Sequence, residues 1–225
     1  MDDEYGAYQL RSLYHRTVAE KEEEFVVAAL RPKQERVLEV GPGTGRFTRH
    51  LAQLAESLAI CDISPQVLER VAARFGPQKH VTYRRAGFDE LDQLAEYGRF
   101  DAAVAVRAAP HAADWRSALK QLFGAVRPGG LVLFDLWNRE SFVGLLMKAF
   151  PRREPVAVHR LTRREIRACV AALPGEVVAT YRWGYPRIGP LHADGIGSLV
   201  CPSWAYSTLY CMRKDDCCNA VRLDV

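Results

Sequence analysis

The sequence predicts an α/β fold in which a mostly parallel β-sheet carries helices on both faces. Three observations predict it. Short apolar runs alternate with segments of helical periodicity along most of the 225 residues, the rhythm of βαβ units. The apolar runs are continuous rather than alternating, as strands buried on both faces require. A glycine-rich turn, EVGPGTG at residues 39–45, lies directly between the first run and the next helical segment, where open sheets bind their ligands.

The elements follow in order. Residues 9–30 place Leu10, Leu13, Tyr14, Val18, Phe25, Val26 and Leu30 at helical spacing, which reads as one or two helices ending before Pro32. Residues 37–40 form a first strand, 46–54 a helix and 57–61 a second strand. Ser64 and Pro65 open the next helix as cap and first helical residue. That helix carries Val67, Leu68 and Val71 and stops at Gly76 and Pro77. Residues 81–85 and 100–106 are the third and fourth strands. Asp114 caps a helix running through Val126, which Pro128, Gly129 and Gly130 terminate before a fifth strand at 131–136. Thr162 caps a helix through Leu173, ended by Pro174 and Gly175. A sixth strand spans 177–183, a Gly- and Pro-rich connection follows, and residues 203–212 make the last strand. A helix, a strand, a long connection and a final strand put an antiparallel pair at one sheet edge.

Composition narrows the function classes. Hydrophobic residues make up 48% and charged residues 26%, ordinary globular usage. A net charge of +4 from 31 basic and 27 acidic side chains is weak for a dedicated nucleic-acid binder. The densest basic stretch, Arg152, Arg153, Arg160, Arg163, Arg164 and Arg167, reads as a solvated helix face with its approach loop, or as a wall that attracts an anionic substrate. No basic-then-apolar leader and no long apolar run is seen, so a cytoplasmic protein that does not insert in a membrane is expected. The six cysteines form no CxxC pair, so no metal site is expected. Cys217 and Cys218, adjacent in a polar tail, read as free thiols.

The chemistry concentrates at the glycine turn. Gly41, Gly43 and Gly45 let the backbone approach a ligand closely, and the helix beyond offers free N–H groups. The spacing is GxGxG, and Arg46 stands where the third glycine of a dinucleotide fingerprint would fall. Glu39, just before the turn, argues against a phosphate and for a ligand bearing an ammonium or sulfonium charge. Asp62, at the end of the second strand, can accept the hydrogen bonds of two ribose hydroxyls.

These stretches together resemble the class I S-adenosylmethionine (SAM)-dependent methyltransferase family. VLEVGPGTGRFTRHLA is similar to its first motif, and CDISPQVLERVAARF to its second. FDAAVAVRAAPH resembles its fourth-strand motif, and LFGAVRPGGLVLFD the approach to strand five. The resemblance covers residues 37–135 by motif and the remainder by topology. It implies a Rossmann-like sheet of seven strands with an antiparallel edge strand, and SAM as cofactor, leaving S-adenosylhomocysteine as product. It also implies cofactor contacts from Glu39, Gly41, Pro42, Gly43, Thr44, Gly45, Asp62, Ile63, Gly87, Phe88 and Arg107. In it the glycines pass under the methionine part, Asp62 holds the ribose, Ile63 packs on the adenine and Arg107 borders the methyl-transfer site. One departure stands out: Gly87 occupies the position where the family often has an acidic residue for the adenine amino group. Phe88 offers a backbone N–H and a ring there, and Asp89 is the alternative acid.

Methyl transfer from a sulfonium needs orientation and exclusion of water more than it needs a base. His111, in RAAPH after strand four, is the candidate base; the competing reading is a histidine that caps the turn or lines the pocket. Tyr14, His15, Trp137, Asn138 and Arg187 are candidate acceptor contacts, with His192 and Trp115 as further wall residues. The expected organisation is one domain over residues 1–225. Residues 1–32 form a helical lid, 33–136 the SAM-binding core, 137–214 the substrate-side wall and C-terminal strands, and 215–225 a flexible tail. The Asn/Asp-Pro-Pro-Tyr/Phe signature for amide or adenine nitrogen is absent after strand four. The expected partner is therefore a small-molecule acceptor with an O, N or C nucleophile, not nucleic acid, on a monomer or homodimer. The alternatives are an RNA or protein methyltransferase, a SAM-binding partner protein without catalysis, and an NAD-dependent oxidoreductase.

Overall fold

In a computed structural model, the structure describes residues 13–150, 157–185 and 204–216, with the side chains of residues 13–15 excepted. The opening helix α1 spans Leu13–Ala29. Seven strands form one sheet: β1 (Gln34–Val40), β2 (Ala55–Asp62), β3 (Val81–Arg85), β4 (Phe100–Ala105), β5 (Val126–Trp137), β6 (Gly175–Trp183) and β7 (Ser207–Lys214), in the order β3-β2-β1-β4-β5-β7-β6. Strands β1 to β5 are mutually parallel. The antiparallel element expected toward the sheet edge is β7, which runs against β5 on one side and β6 on the other. This is the Rossmann-like sheet of the class I methyltransferase fold.

The remaining helices are α2 (Thr48–Leu54), α3 (Pro65–Phe75), α4 (Trp115–Ala125), α5 (Phe142–Ala149) and α6 (Arg163–Ala172). Neighbouring residues of each strand point to opposite faces, and two cores result. On one face Val37, Ile60, Val104 and Leu133 pack with Val26 of α1, Leu51 of α2 and Val71 of α3. On the other, Leu38, Cys61, Ala103 and Phe134 pack with Leu119 and Phe123 of α4 and Cys169 of α6.

Local chemistry sets the helix starts. Ser64 Oγ accepts from Val67 N with Pro65 next to it, Asp114 accepts from Arg116 N and Ser117 N, and Thr162 and Glu165 form a reciprocal capping box. Several boundaries differ from expectation: β1 starts at Gln34 rather than 37, β6 at Gly175 rather than 177, and the last strand is Ser207–Lys214 rather than 203–212; two further differences have a visible cause. Helix α2 begins at Thr48 because residues 43–47 are occupied by turns, with Gly45 N bonded to Pro42 O at 2.9 Å. Strand β5 begins at Val126, directly after α4, so Pro128, Gly129 and Gly130 lie inside the strand. The β4–β5 register shifts between Phe100 and Ala102 to accommodate them, and a side chain on Gly130 would stand 2.7 Å from the Asp101 carbonyl. Helix α5 has no counterpart in the sequence reading. The connection before β7 and the tail beyond residue 216 lie outside the described residues.

Candidate active site

All parallel strands end on one side of the sheet, and the turns that leave them make the site. The glycine turn leaves β1. Gly41 and Gly43 have φ of 71° and 57°, a region where only glycine sits without strain. A Cβ on Gly41 would meet Ala108 Cβ, in the turn after β4, at 2.7 Å. Gly43 has the opposite surroundings: nothing lies within 4 Å of the position a Cβ would take, so this side of the turn is open to a ligand.

Glu39 is 2% exposed. Its Oε2 accepts from Thr48 Oγ1 at 2.7 Å, while Oε1 is buried without a hydrogen-bond partner. Burial pushes its carboxyl up from the usual 4.5 to about 7, with the Thr48 hydrogen bond opposing. A buried carboxylate with one unanswered oxygen favours a neighbouring cation. Asp62 ends β2, its Oδ1 accepting from Ser64 N at 2.8 Å. Next to it Ile63 is 71% exposed, a large apolar side chain standing in solvent. Gly87 is buried against it: a Cβ there would lie 3.0 Å from Ile63 Cγ2 and 2.7 Å from Asp89 Oδ1. The Asp89 carboxylate thus stands where an acidic side chain at position 87 would begin. Phe88 is half-buried on the same rim, while Pro42 is buried and Thr44 half-buried in the turn.

Arg107, just past β4, takes φ of 59°, unusual for a residue with a side chain. Its N–H donates to Asp135 Oδ1 at 2.7 Å, and its guanidinium lies 5.2 Å over the Trp183 ring. The same guanidinium donates to both carboxylate oxygens of Glu22 in α1, at 3.1 and 3.0 Å. Arg46, one residue beyond the glycine turn, donates to Glu22 at 2.7 Å and to the Ala19 carbonyl at 2.9 Å. Glu22 is 1% exposed. One buried carboxylate therefore latches α1 to the glycine turn and to the end of β4.

Asp135 carries the network onward. It is buried, accepts from Trp137 Nε1 and, at 3.5 Å, from Ser207 Oγ, and burial lifts its carboxyl to about 6 against the hydrogen bonds from Trp137 and the Arg107 N–H. Trp137 stands in a wall of aromatics, with Tyr206 at 5.5 Å and His111 edge-on at 5.6 Å between centroids. Trp183 meets Tyr206 at 5.7 Å, and its buried Nε1 has no hydrogen-bond partner. His111 Nδ1 is 3.2 Å from the Ala157 carbonyl, an acceptor that selects the Nδ1–H tautomer and leaves Nε2 as the basic nitrogen. Asn138 is engaged in holding the wall together: its Nδ2 donates to Ala205 O at 3.1 Å and its Oδ1 accepts from Glu140 N at 2.9 Å.

The structure thus brings Glu39, the glycine turn, Asp62, Ile63, Gly87 and Phe88 to one rim. Arg107, His111 and Trp137 meet on the adjoining wall. Tyr14 and His15 fall in α1, but their side chains, with Arg187 and His192, lie outside the described residues. Trp115 is buried in the α4 core rather than on this wall. Glu22, Asp135, Trp183 and Tyr206 were not singled out from the sequence. Asp135 and Trp183 stand at or beside strand ends, the one signal that could have found them.

The fold that carries this rim is that of a class I methyltransferase, the class that uses SAM. Residues 3–180 match the profile of a family described as methyltransferase domain, and the chain belongs to that family. It is 28% identical over 118 residues to the ubiquinone biosynthesis O-methyltransferase of Xanthomonas axonopodis pv. citri, covering 52% of this chain and 48% of that protein. The chain thus spans between about a third and a half of the length of the curated relatives it matches. Its fold is similar to a Thermotoga maritima SAM-dependent methyltransferase described as a possible histamine N-methyltransferase. There the TM-score is 0.64 and the identity 19%, over 95% of this chain and 98% of that one. It is similar also to the N-methyltransferase NodS of Bradyrhizobium japonicum, solved with S-adenosylhomocysteine, with TM-score 0.61 and 16% identity over 92% and 95% of the two chains. The residues present fit the cofactor: an unanswered buried carboxylate oxygen, an open glycine face and an exposed isoleucine beside an aspartate.

Proposed function

We propose that this chain transfers a methyl group from SAM to an O, N or C nucleophile of a small-molecule acceptor seated against the aromatic wall. The observation that carries the reading is the continuity of the two halves. Arg107 borders the rim, its N–H is bound by Asp135, and Asp135 holds Trp137 of the wall. Bound SAM supplies an activated methyl on sulfur. Everything else falls to the protein, which must orient the two reactants and exclude water.

In this reading Glu39 faces the cofactor's ammonium, and Gly41, Pro42, Gly43, Thr44 and Gly45 pass beneath it. Asp62 accepts from the ribose hydroxyls, Ile63 and Phe88 bracket the adenine, and Asp89 serves its amino group in place of the missing acid beside Gly87. His111 Nε2 takes the proton of an acceptor that arrives protonated. Asn138 positions the wall through Ala205 O and Glu140 N. Residues 1–225 work as one domain in the cytoplasm. A small acceptor is supported by the cluster of aromatic rings around Trp137 and by a relative named for ubiquinone biosynthesis.

The test is transfer of labelled methyl from SAM to a panel of phenols, amines and activated carbon acids, with RNA and protein as separate arms. Transfer to a member of the first group is expected, at a rate that falls in His111→Ala. Transfer confined to RNA or protein would replace the acceptor class. An unchanged rate in His111→Ala would remove the base.

A further inference from the structure

Helix α5 presents an unusual surface. Among the described residues nine large hydrophobic side chains are strongly exposed, and five of them, Phe142, Leu145, Leu146, Met147 and Phe150, lie on this one segment at 40–72% exposure. The helix is held at its start and by one later contact, Tyr206 Oη donating to Met147 Sδ at 3.7 Å. Ser141 caps it through Gly144 N and is fully buried, and Gly144 presses on the backbone of Arg139. From residue 145 to 150 every position is exposed. Clustered apolar exposure of this kind marks a binding surface.

A second feature adjoins it at Arg139. A groove of about 310 Å³ between α4 and α6 is lined by Arg116, Arg139 and Arg164 over a floor that includes Trp115 and Cys169. Glu165 is the one carboxylate on its lining. That carboxylate accepts from Thr162 N and Oγ1, at 2.7 and 2.8 Å, and lies 3.6 Å from the Arg139 guanidinium; three guanidiniums against one carboxylate leave the groove net cationic. Lys148 adds a further positive charge in the last turn of α5.

We propose that this face docks on an anionic phospholipid bilayer, with α5 lying in the interface and the arginine groove level with the headgroup phosphates. An apolar helix flanked by cations is the arrangement that binds such an interface. At eight residues, about 12 Å, α5 is too short to cross a bilayer, so its own contact is peripheral. A second copy of the chain fits less well. A helix of eight residues is about 12 Å long and about 10 Å wide, far below the roughly 800 Å² per partner of a stable protein interface. The groove's cations would also face one another across a twofold contact.

The test is sedimentation of the full chain with vesicles of phosphatidylcholine alone and of phosphatidylcholine mixed with phosphatidylglycerol. It reads lipid binding alone, so it stands or falls separately from the methyl-transfer reading. Wild type is expected to sediment with the mixed vesicles and not with phosphatidylcholine alone. Leu145→Ser combined with Phe150→Ser should weaken that binding about tenfold or more, and Arg139→Ala with Arg164→Ala should weaken it independently. The first pair is exposed and should melt with wild type. The proposal is overturned if wild type stays in the supernatant with both vesicles, if it binds both equally, or if the serine pair binds as wild type does. A serine pair that shifts only a monomer–dimer equilibrium in light scattering without lipid would assign the helix to a second copy instead.

Discussion

Removing the carboxylate of Glu22 should loosen the opening helix from the sheet. Glu22 is the shared counter-ion of Arg46 and Arg107, at 2.7 Å and 3.0–3.1 Å. Its own side chain is 1% exposed and each guanidinium 18%. Burial already pulls the Arg46 guanidinium below its ordinary value, the charge of Glu22 opposes that, and the like charge of Arg107 adds to it. Deleting one partner of a fully buried ion pair costs about 3–5 kcal/mol. The two guanidiniums keep some solvent here, so about 2–3 kcal/mol is expected for Glu22→Ala. In a domain of this size that corresponds to a drop in melting temperature of roughly 4–12 °C. Glu22→Gln, which keeps an acceptor but no charge, should fall between the two. The assay is thermal unfolding followed by circular dichroism, with SAM affinity measured on the same variants, since Arg46 and Arg107 flank the rim. An alanine variant that melts with wild type and binds SAM equally well would refute the latch.

Two further outcomes follow from the site. Burial raises the Glu39 carboxyl to about 7. Its contribution to the stability of the ligand-free fold is therefore complete below about pH 4.5 and is lost as pH rises to about 7, a change of roughly 3 kcal/mol; Glu39→Gln should flatten that slope in denaturant titrations. A cation bound beside Glu39 favours the ionised form, so SAM affinity should rise between about pH 6 and 8 in wild type and stay level in Glu39→Gln. Gly41→Ala combines a φ of 71° with a 2.7 Å approach to Ala108 Cβ; it should cost about 2 kcal/mol or more and weaken SAM binding, read by chemical denaturation and calorimetry.

The parts of the fold that were legible in the sequence are those whose cause is local. Continuous apolar runs marked β1, β2, β4 and β5 because both faces of the sheet are covered there, whereas β3, the edge strand VTYRR, has no fully buried residue. Ser64, Asp114 and Thr162 marked helix starts because a cap acts within three residues. The parts that were not legible depend on distant partners. Pro128, Gly129 and Gly130 look like a terminator, yet they pass through β5 because the bulge opposite Asp101 leaves room only for glycine at position 130. Helix α5 carries apolar residues on every side, so no amphipathic period announces it. At the site, Glu39, the glycines and Asp62 stand out by spacing. Glu22 does not, because it sits in a run of acidic residues. What buries it is Arg46 and Arg107, 24 and 85 positions away.

The central claim, a SAM-binding rim built on Glu39, the glycine turn and Asp62, is tested most directly by calorimetric titration. The ligands are SAM, S-adenosylhomocysteine and NAD, and the proteins wild type and Asp62→Ala. Micromolar binding of the first two, about −8 kcal/mol, with no NAD binding and a loss of tenfold or more on removing Asp62, is the predicted result. Binding of NAD without SAM, or SAM affinity untouched in Asp62→Ala, would contradict it.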